Sequence, residues 1–181
     1  ATADHGGRGA DHAPAISEKK YRQVTDFLFR EAEILDAAHF EEWLSLVTKD
    51  IHYRLTAPMV TMTRKAKQEY PEILLLDVNY SSLKARVSQL SNPTLTIADN
   101  PQSFSRRYVT NIRVLSLEQD VMTVRSNALI YRSRGSQSAP HIFSTARNDE
   151  IEAVGGVLKL RKRIARLDEA VVGARNIAGI F

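Results

Sequence analysis

The stretch 48-TKDIHYRL-55 sets Asp50 and His52 two residues apart, with Tyr53 and Arg54 following. On an extended strand, residues two apart point the same way. A carboxylate and an imidazole sharing one face could work as an acid/base pair at the mouth of a pocket. The competing reading is structural: strand-entry residues that organise local hydrogen bonds. Little else in the chain offers chemistry. There is no G-x-G-x-x-G, no phosphate-binding P-loop, no G-x-S-x-G and no H-E-x-x-H. Of the five histidines, His5 and His12 lie in a Gly-rich N-terminal stretch, His39 opens a helix and His141 opens a strand. No spacing brings two of them to one acid, as a two-His, one-carboxylate iron site requires. Cysteine is absent, which excludes disulfides, thiolate nucleophiles, zinc ribbons and cysteine-bound iron–sulfur clusters.

The 181 residues suggest one domain, and 43% apolar composition is enough for a core. The net charge of +4 is too small to argue for nucleic acid. No apolar run reaches the ~18 residues of a membrane span, and the polar N-terminus lacks the apolar segment of a secretion signal. With no cysteine, the chain suits a reducing cytoplasm.

The elements that would position Asp50 and His52 follow from periodicity. Residues 1–16 are small, polar and Gly-rich and are expected to form a flexible arm; 17–181 form the domain. Ser17 offers an N-cap, and Tyr21, Val24, Phe27, Leu28, Ile34 and Leu35 recur at helical spacing, predicting a helix over Glu18–Ala37. A shorter helix presents Phe40, Trp43, Leu44 and Val47. The Asp50 strand comes next, then an irregular connection over Thr56–Asp77 that holds 64-RKAK-67. A third helix is expected near Ser82–Leu90, and a loop over Ser91–Ser103. Four β-rich runs end the chain: Ser105–Leu117, Val121–Ser133, Pro140–Glu152 and Val157–Leu167. Their short connections require antiparallel neighbours. Thirteen extended residues reach ~40 Å, and strands of that length twist and curl. The expected fold is α+β: a long, strongly curved, antiparallel-rich sheet wrapped around N-terminal helices.

Alternation divides the strands into two faces. One carries Tyr108, Ile112, Val114, Met122, Val124, Ala128, Ile130, Ile142, Ala146, Leu158, Leu160 and Ile164, and should meet the helices. The other carries Arg107, Asn111, Arg113, Thr123, Arg125, Asn127, Arg147, Lys159, Arg161 and Arg163, with Val109, Leu129, Tyr131 and Phe143. A bulge would switch this parity locally. Ser105–Leu167 holds ten Arg and two Lys, whereas the rest of the chain holds seven and six. Solubility alone does not prefer arginine; protein interfaces do. Arg107, Arg113, Arg125, Arg147, Arg161 and Arg163, with Arg64 and Lys65 of the long connection, are the candidate interface residues. A solvated arginine-rich face is the plainer alternative.

The stretches 30-REAEILDAAHFEEWLSLVTKDIHYRL-55, 81-SSLKARV-87, 106-RRYVTNIRV-114, 124-VRSNALIYRSRG-135, 143-FSTARNDEI-151 and 156-GVLKLRKRIARLD-168 resemble, in order and spacing, the small (β) subunit of bacterial Rieske-type aromatic-ring-hydroxylating dioxygenases, of the biphenyl and naphthalene kind. The resemblance implies a cone-like fold similar to nuclear transport factor 2 and scytalone dehydratase. It also implies a hetero-hexamer of three α and three β subunits. In that family the α subunit holds a Rieske 2Fe–2S cluster and a mononuclear Fe(II), and adds O2 to an arene, with electrons from NADH, to give a cis-dihydrodiol. The β subunit acts as a scaffold, with no catalytic, cofactor or metal residues of its own. The ending 176-NIAGIF-181 and the segment 58-PMVTMTRKAKQEYP-71 depart from the family pattern. Two rivals stand beside this reading. A stand-alone dehydratase or isomerase would use Asp50 and His52 around a cavity lined by Trp43, Tyr53 and Tyr108. A nucleic-acid binder would use Lys159, Arg161, Lys162 and Arg163, with binding that falls steeply with salt.

Overall fold

The computed structural model describes residues 16–59, 72–92, 103–134 and 139–169. Most of the expected N-terminal arm, with His5 and His12, lies outside them, as do Arg64 and Lys65. Among the described residues, three helices precede or interrupt the strands: α1 (Glu18–Asp36), α2 (Phe40–Ser45) and α3 (Tyr80–Ser91). The strands are β1 (Val47–Pro58), β2 (Glu72–Val78), β3 (Ser103–Glu118), β4 (Val121–Arg134), β5 (His141–Val154) and β6 (Val157–Leu167). They form one six-stranded sheet in the order β2-β1-β6-β5-β4-β3. Only the β1–β6 pair is parallel. The α+β architecture is as expected. The connection over Thr56–Asp77 is not irregular throughout: its ends are β1, which continues to Pro58, and the exposed edge strand β2.

Local sequence explains the element ends. Ser17 caps α1 by accepting from the Lys20 N–H at 3.3 Å, and Asn79 caps α3 by accepting from the Ser82 N–H at 3.1 Å. Two-residue turns join β3 to β4 at Gln119-Asp120 and β5 to β6 at Gly155-Gly156. All four residues have positive φ, the geometry whose twist matches paired strands. Asn111, at φ 53°, sits in a bulge of β3, and further irregularities fall in β1 after Leu55 and in the β5–β6 ladder at Glu150/Ile151. Each adds bend and twist, so the long strands curl around the helices.

Helix α1 lies along β3, the last strand of the sheet. Asp36 accepts from the Arg107 backbone N–H at 2.9 Å, and the Tyr21 hydroxyl donates to the Ile112 carbonyl at 3.4 Å. These contacts occupy main-chain groups that an edge strand would otherwise offer to another chain. The inner face of the sheet has two apolar clusters. One gathers Val24, Phe27, Leu28, Leu35, Trp43 and Tyr53 with Met122, Val124, Ile151 and Leu160. The other gathers Leu55, Ala57, Ile130, Phe143, Ala165 and Leu167. Along β5, Phe143 belongs to the second and Ile151 to the first, and between them Thr145, Arg147 and Asp149 all point inward and are buried.

The face assignment from alternation is therefore corrected on three strands. On β3, Arg107 and Val109 point in and Tyr108 out, until the Asn111 bulge turns Ile112 and Val114 inward. On β5, Phe143, Arg147 and Asp149 are inside, while Ile142 is outside. On β6, the irregularity at Arg161 lets Leu160 and Arg163 both face the core.

Candidate functional site

Asp50 and His52 do share the outer side of β1, but they do not form a pair. Asp50 meets Arg161 Nε at 3.4 Å, and His52 Nε2 lies 2.7 Å from Asp77 Oδ1 on β2. All four side chains are 41–64% exposed. The rings proposed to line a cavity do not converge either. Trp43 and Tyr53 are buried edge to face, with centroids 6.4 Å apart, and Tyr108 stands on the opposite side of the sheet, 54% exposed. Of the four residues of a possible nucleic-acid stripe, three are otherwise engaged: Arg163 is buried, Arg161 faces Asp50 and Lys162 donates to Glu150 at 3.0 Å.

The interior instead holds an ion network. Arg163 uses both edges of its guanidinium. Nη1 and Nη2 donate to the two Glu31 oxygens, each at 2.8 Å, while Nε and Nη2 donate to Asp149 at 2.9 and 2.8 Å. Trp43 Nε1 donates to Glu31 Oε1 at 3.0 Å. Arg147 Nε donates to the Ser126 hydroxyl at 3.1 Å, with Nη1 3.9 Å from Glu31 Oε2. Two carboxylates and two guanidiniums balance in charge, and all four are buried. Burial alone would raise the Glu31 pKa, but the charge and hydrogen bonds of Arg163, aided by Arg147 and Trp43, bring it below the ordinary carboxylate value. Burial opposes the charge on Arg163 as well, and its two carboxylate partners overcome that and hold the proton more tightly than in water. For Arg147, burial and the neighbouring Arg163 charge prevail and lower its pKa.

The expected arginine face thus divides. Arg147 and Arg163 belong to the internal network. Arg107 is inside too, donating from Nη1 to Asp36 Oδ1 at 2.7 Å. Arg113 and Arg125 are exposed on the outer face, and Arg161 is half-exposed against Asp50. A signal for the network is visible in the chain: Glu31 interrupts the apolar stripe of α1, four residues after Phe27 and three before Ile34. A carboxylate at such a position needs a buried cation.

Sequence reasoning placed Leu129 and Tyr131 on the outer face but missed the patch that Phe104, Tyr108 and Ile142 complete with them. Phe104, Tyr108, Leu129, Tyr131 and Ile142 are 38–70% exposed on β3, β4 and β5. Cross-strand register makes them neighbours: Tyr108 is opposite Leu129, and Tyr131 is opposite Ile142. The other half of that face, over β2, β1 and β6, is laced by polar contacts: the His52–Asp77 hydrogen bond and the ion pairs Asp50–Arg161, Arg166–Glu72 at 3.1 Å and Lys162–Glu150. Among the described residues there is no group of three or more His, Asp or Glu placed to hold a metal ion. No described helix is long and apolar enough to cross a membrane.

A curved mixed sheet closed over N-terminal helices defines the α+β cone shared by nuclear transport factor 2-like proteins. A solved protein of Novosphingobium aromaticivorans DSM 12444, provisionally named a scytalone dehydratase, has the same fold: TM-score 0.61 and 16% identity, covering 88% of this chain and 93% of that one. Within that class, a family model described as ring hydroxylating beta subunit matches residues 30–174, and the chain belongs to that family of dioxygenase β subunits. The β subunit of biphenyl 2,3-dioxygenase from Rhodococcus jostii (strain RHA1) is 26% identical over 165 residues, 88% of this chain and 87% of the relative. A structure of naphthalene 1,2-dioxygenase with indole bound in its active site superposes at a TM-score of 0.80 with 22% identity, covering 93% of this chain and 89% of that chain.

Proposed function

We propose that this chain is the non-catalytic structural subunit of a bacterial aromatic-ring-hydroxylating dioxygenase. It would assemble with a larger α subunit, three copies of each, in the cytoplasm. The α subunit would hold the Rieske 2Fe–2S cluster and the mononuclear Fe(II), and would convert an arene, O2 and NADH-derived electrons to a cis-dihydrodiol. This chain has no cysteine to ligate a cluster. Family membership across 30–174 is the observation that carries the reading. The interior supports it: where a cone-shaped enzyme would need ionisable groups free to act, Glu31, Asp149 and Arg163 are tied to one another. The rival dehydratase reading needs Asp50 and His52 to work together, and their separate partners on the outer surface argue against it.

The test is expression of the full chain with and without its larger partner. The pair should co-purify at 1:1 with an iron–sulfur spectrum, and the chain alone should oxidise no arene. Arene turnover by the isolated chain would end the proposal.

A further inference from the structure

Three neighbouring side chains on the outer side of β1 and β6 have a buried polar atom without a hydrogen-bond partner: Arg54 Nε, Thr56 Oγ1 and Arg166 Nε. Thr56 is the register partner of Arg166 in the parallel β1–β6 pair. Arg54 precedes Thr56 by two residues and so shares its face. Thr56 is only 2% exposed. Arg166 reaches from β6 to Glu72 on β2, and β1 lies between those strands, so its guanidinium crosses β1 near Thr56 and Pro58. The Glu72 carboxylate stands 3.1 Å from Arg166 Nε, close enough for an ion pair but not aligned as a hydrogen bond; both side chains are 43–44% exposed. Arg54 makes neither a hydrogen bond nor an ion pair among the described residues. Asp77, its partner across the β1–β2 ladder, is turned to His52 instead. Orphaned buried donors call for an explanation, and here three of them meet at one spot.

We propose that Arg54, Thr56 and Arg166 form a binding site for a small free carboxylate, and that Glu72 occupies it in part when no ligand is bound. A carboxylate has two oxygens with about four lone-pair sites. It can accept from both guanidiniums and from the Thr56 hydroxyl at once, which no group of the protomer does. Guanidinium edges match a planar carboxylate in shape as well as charge. The two arginines and Glu72 together carry one positive charge, which a singly charged ligand neutralises. A phosphate dianion would add surplus negative charge beside Glu72 and Asp77. Entry requires Arg166 to release Glu72, and an ion pair exposed to that degree is weak. Glu72 thus acts as a competitor of the ligand rather than as part of its site.

The test is an acetate titration of the full chain, labelled with 15N and followed by NMR at the arginine Nε–H signals, with acetate replacing chloride at constant ionic strength. The Arg54 and Arg166 signals, assigned by their loss in R54Q and R166Q, should shift and saturate. The Arg125 signal, from an exposed arginine on the same side of the sheet, should not. R54Q should weaken acetate binding at least ~10-fold and T56V about 3-fold or more, as expected for lost bonds to a charged group. E72Q should tighten it about 2–5-fold, because the competitor is gone. T56V removes a hydroxyl that has no partner in the protomer, so its unfolding midpoint should hold or rise, which separates a binding role from a structural one. No saturable shift, equal shifts at Arg125, undiminished binding in R54Q and T56V, or weaker binding in E72Q would each overturn the proposal. Tighter binding of inorganic phosphate than of acetate would overturn the ligand class. Should R54Q fail to fold by circular dichroism, R54K decides: it keeps the charge but lacks Nε, and unchanged acetate binding overturns the site. The chain is measured without its larger partner, so the outcome leaves the proposed subunit role untouched.

Discussion

Arg163 and Arg125 stand two strands apart in one sheet, yet their surroundings are opposite. Arg163 is fully buried, with its guanidinium edges held by Glu31 from α1 and by Asp149 from the neighbouring strand. Arg125 is exposed, opposite another arginine, with a 3.3 Å bond to the Asn148 side chain. Arginine-rich composition is therefore two signals laid over each other. The inner arginines fasten the helices to the sheet. The outer ones are left with charge and hydrogen-bonding capacity that the protomer does not use. The contrast predicts that inner substitutions damage folding and outer ones damage association.

The largest effect is expected at Arg163. R163A leaves Glu31 and Asp149 buried with only Arg147 between them, and breaking such a pair from one side costs about 3–5 kcal/mol. Urea denaturation should show that loss or an unfolded chain. Replacing Glu31 and Arg163 together by Met should cost less than the sum of the single changes, because neither leaves the other stranded. Additive losses would mean that the pair is not coupled.

The network also gives stability a dependence on acid. The folded-state pKa of Glu31 lies below the ordinary value of 4.5. Its contribution is then complete above about 4.5 and is lost as pH falls through the depressed folded value. The stability difference between wild type and E31Q should be constant from neutral pH to about 5 and should shrink below 4.5. A difference that grows on acidification would reverse the sign of the assignment. W43F, which removes the 3.0 Å bond to Glu31 but keeps most of the ring, should cost about 1.5–3 kcal/mol, the range for hydrogen bonds to charged groups.

The outer face should behave otherwise. Phe104→Ser and Tyr108→Ser replace exposed rings, so the unfolding free energy of the protomer should change by about 0.5 kcal/mol or less. Self-association measured on the same samples should fall. A large stability loss would place these rings in the protomer's own packing and break the contrast.

The helices and the four late strands were legible because their periods, caps and turns agree. Ser17 is a standard cap, and the two-residue turns leave only antiparallel pairing. Strand β2 was obscured because 72-EILLLDV-78 packs at an edge, where Ile73 and Leu74 remain exposed and alternation carries no burial signal. The faces of β5 and β6 were misread because alternation assumes that charge points out. Here Arg147, Asp149 and Arg163 point in, paid for by a carboxylate that arrives from a helix more than a hundred residues earlier. No local pattern on the strands contains that partner. Only Glu31, out of place in its apolar stripe, betrays it.

The smallest effect is expected where the sequence first suggested chemistry. At a wet surface Asp50 makes an ion pair with Arg161 and His52 a hydrogen bond with Asp77, and such exposed contacts contribute about 0–1 kcal/mol. Replacing both by Asn removes the charges but keeps polar side chains on β1. The assembled oxygenase carrying this double change should turn over at the wild-type rate, with any deficit appearing in stability or in the yield of assembled complex. The outcome that would restore a catalytic role is an intact assembly of normal mass that no longer turns over. In that case Asp77 and Arg161, which hold the pair apart in the protomer, would be the next residues to replace.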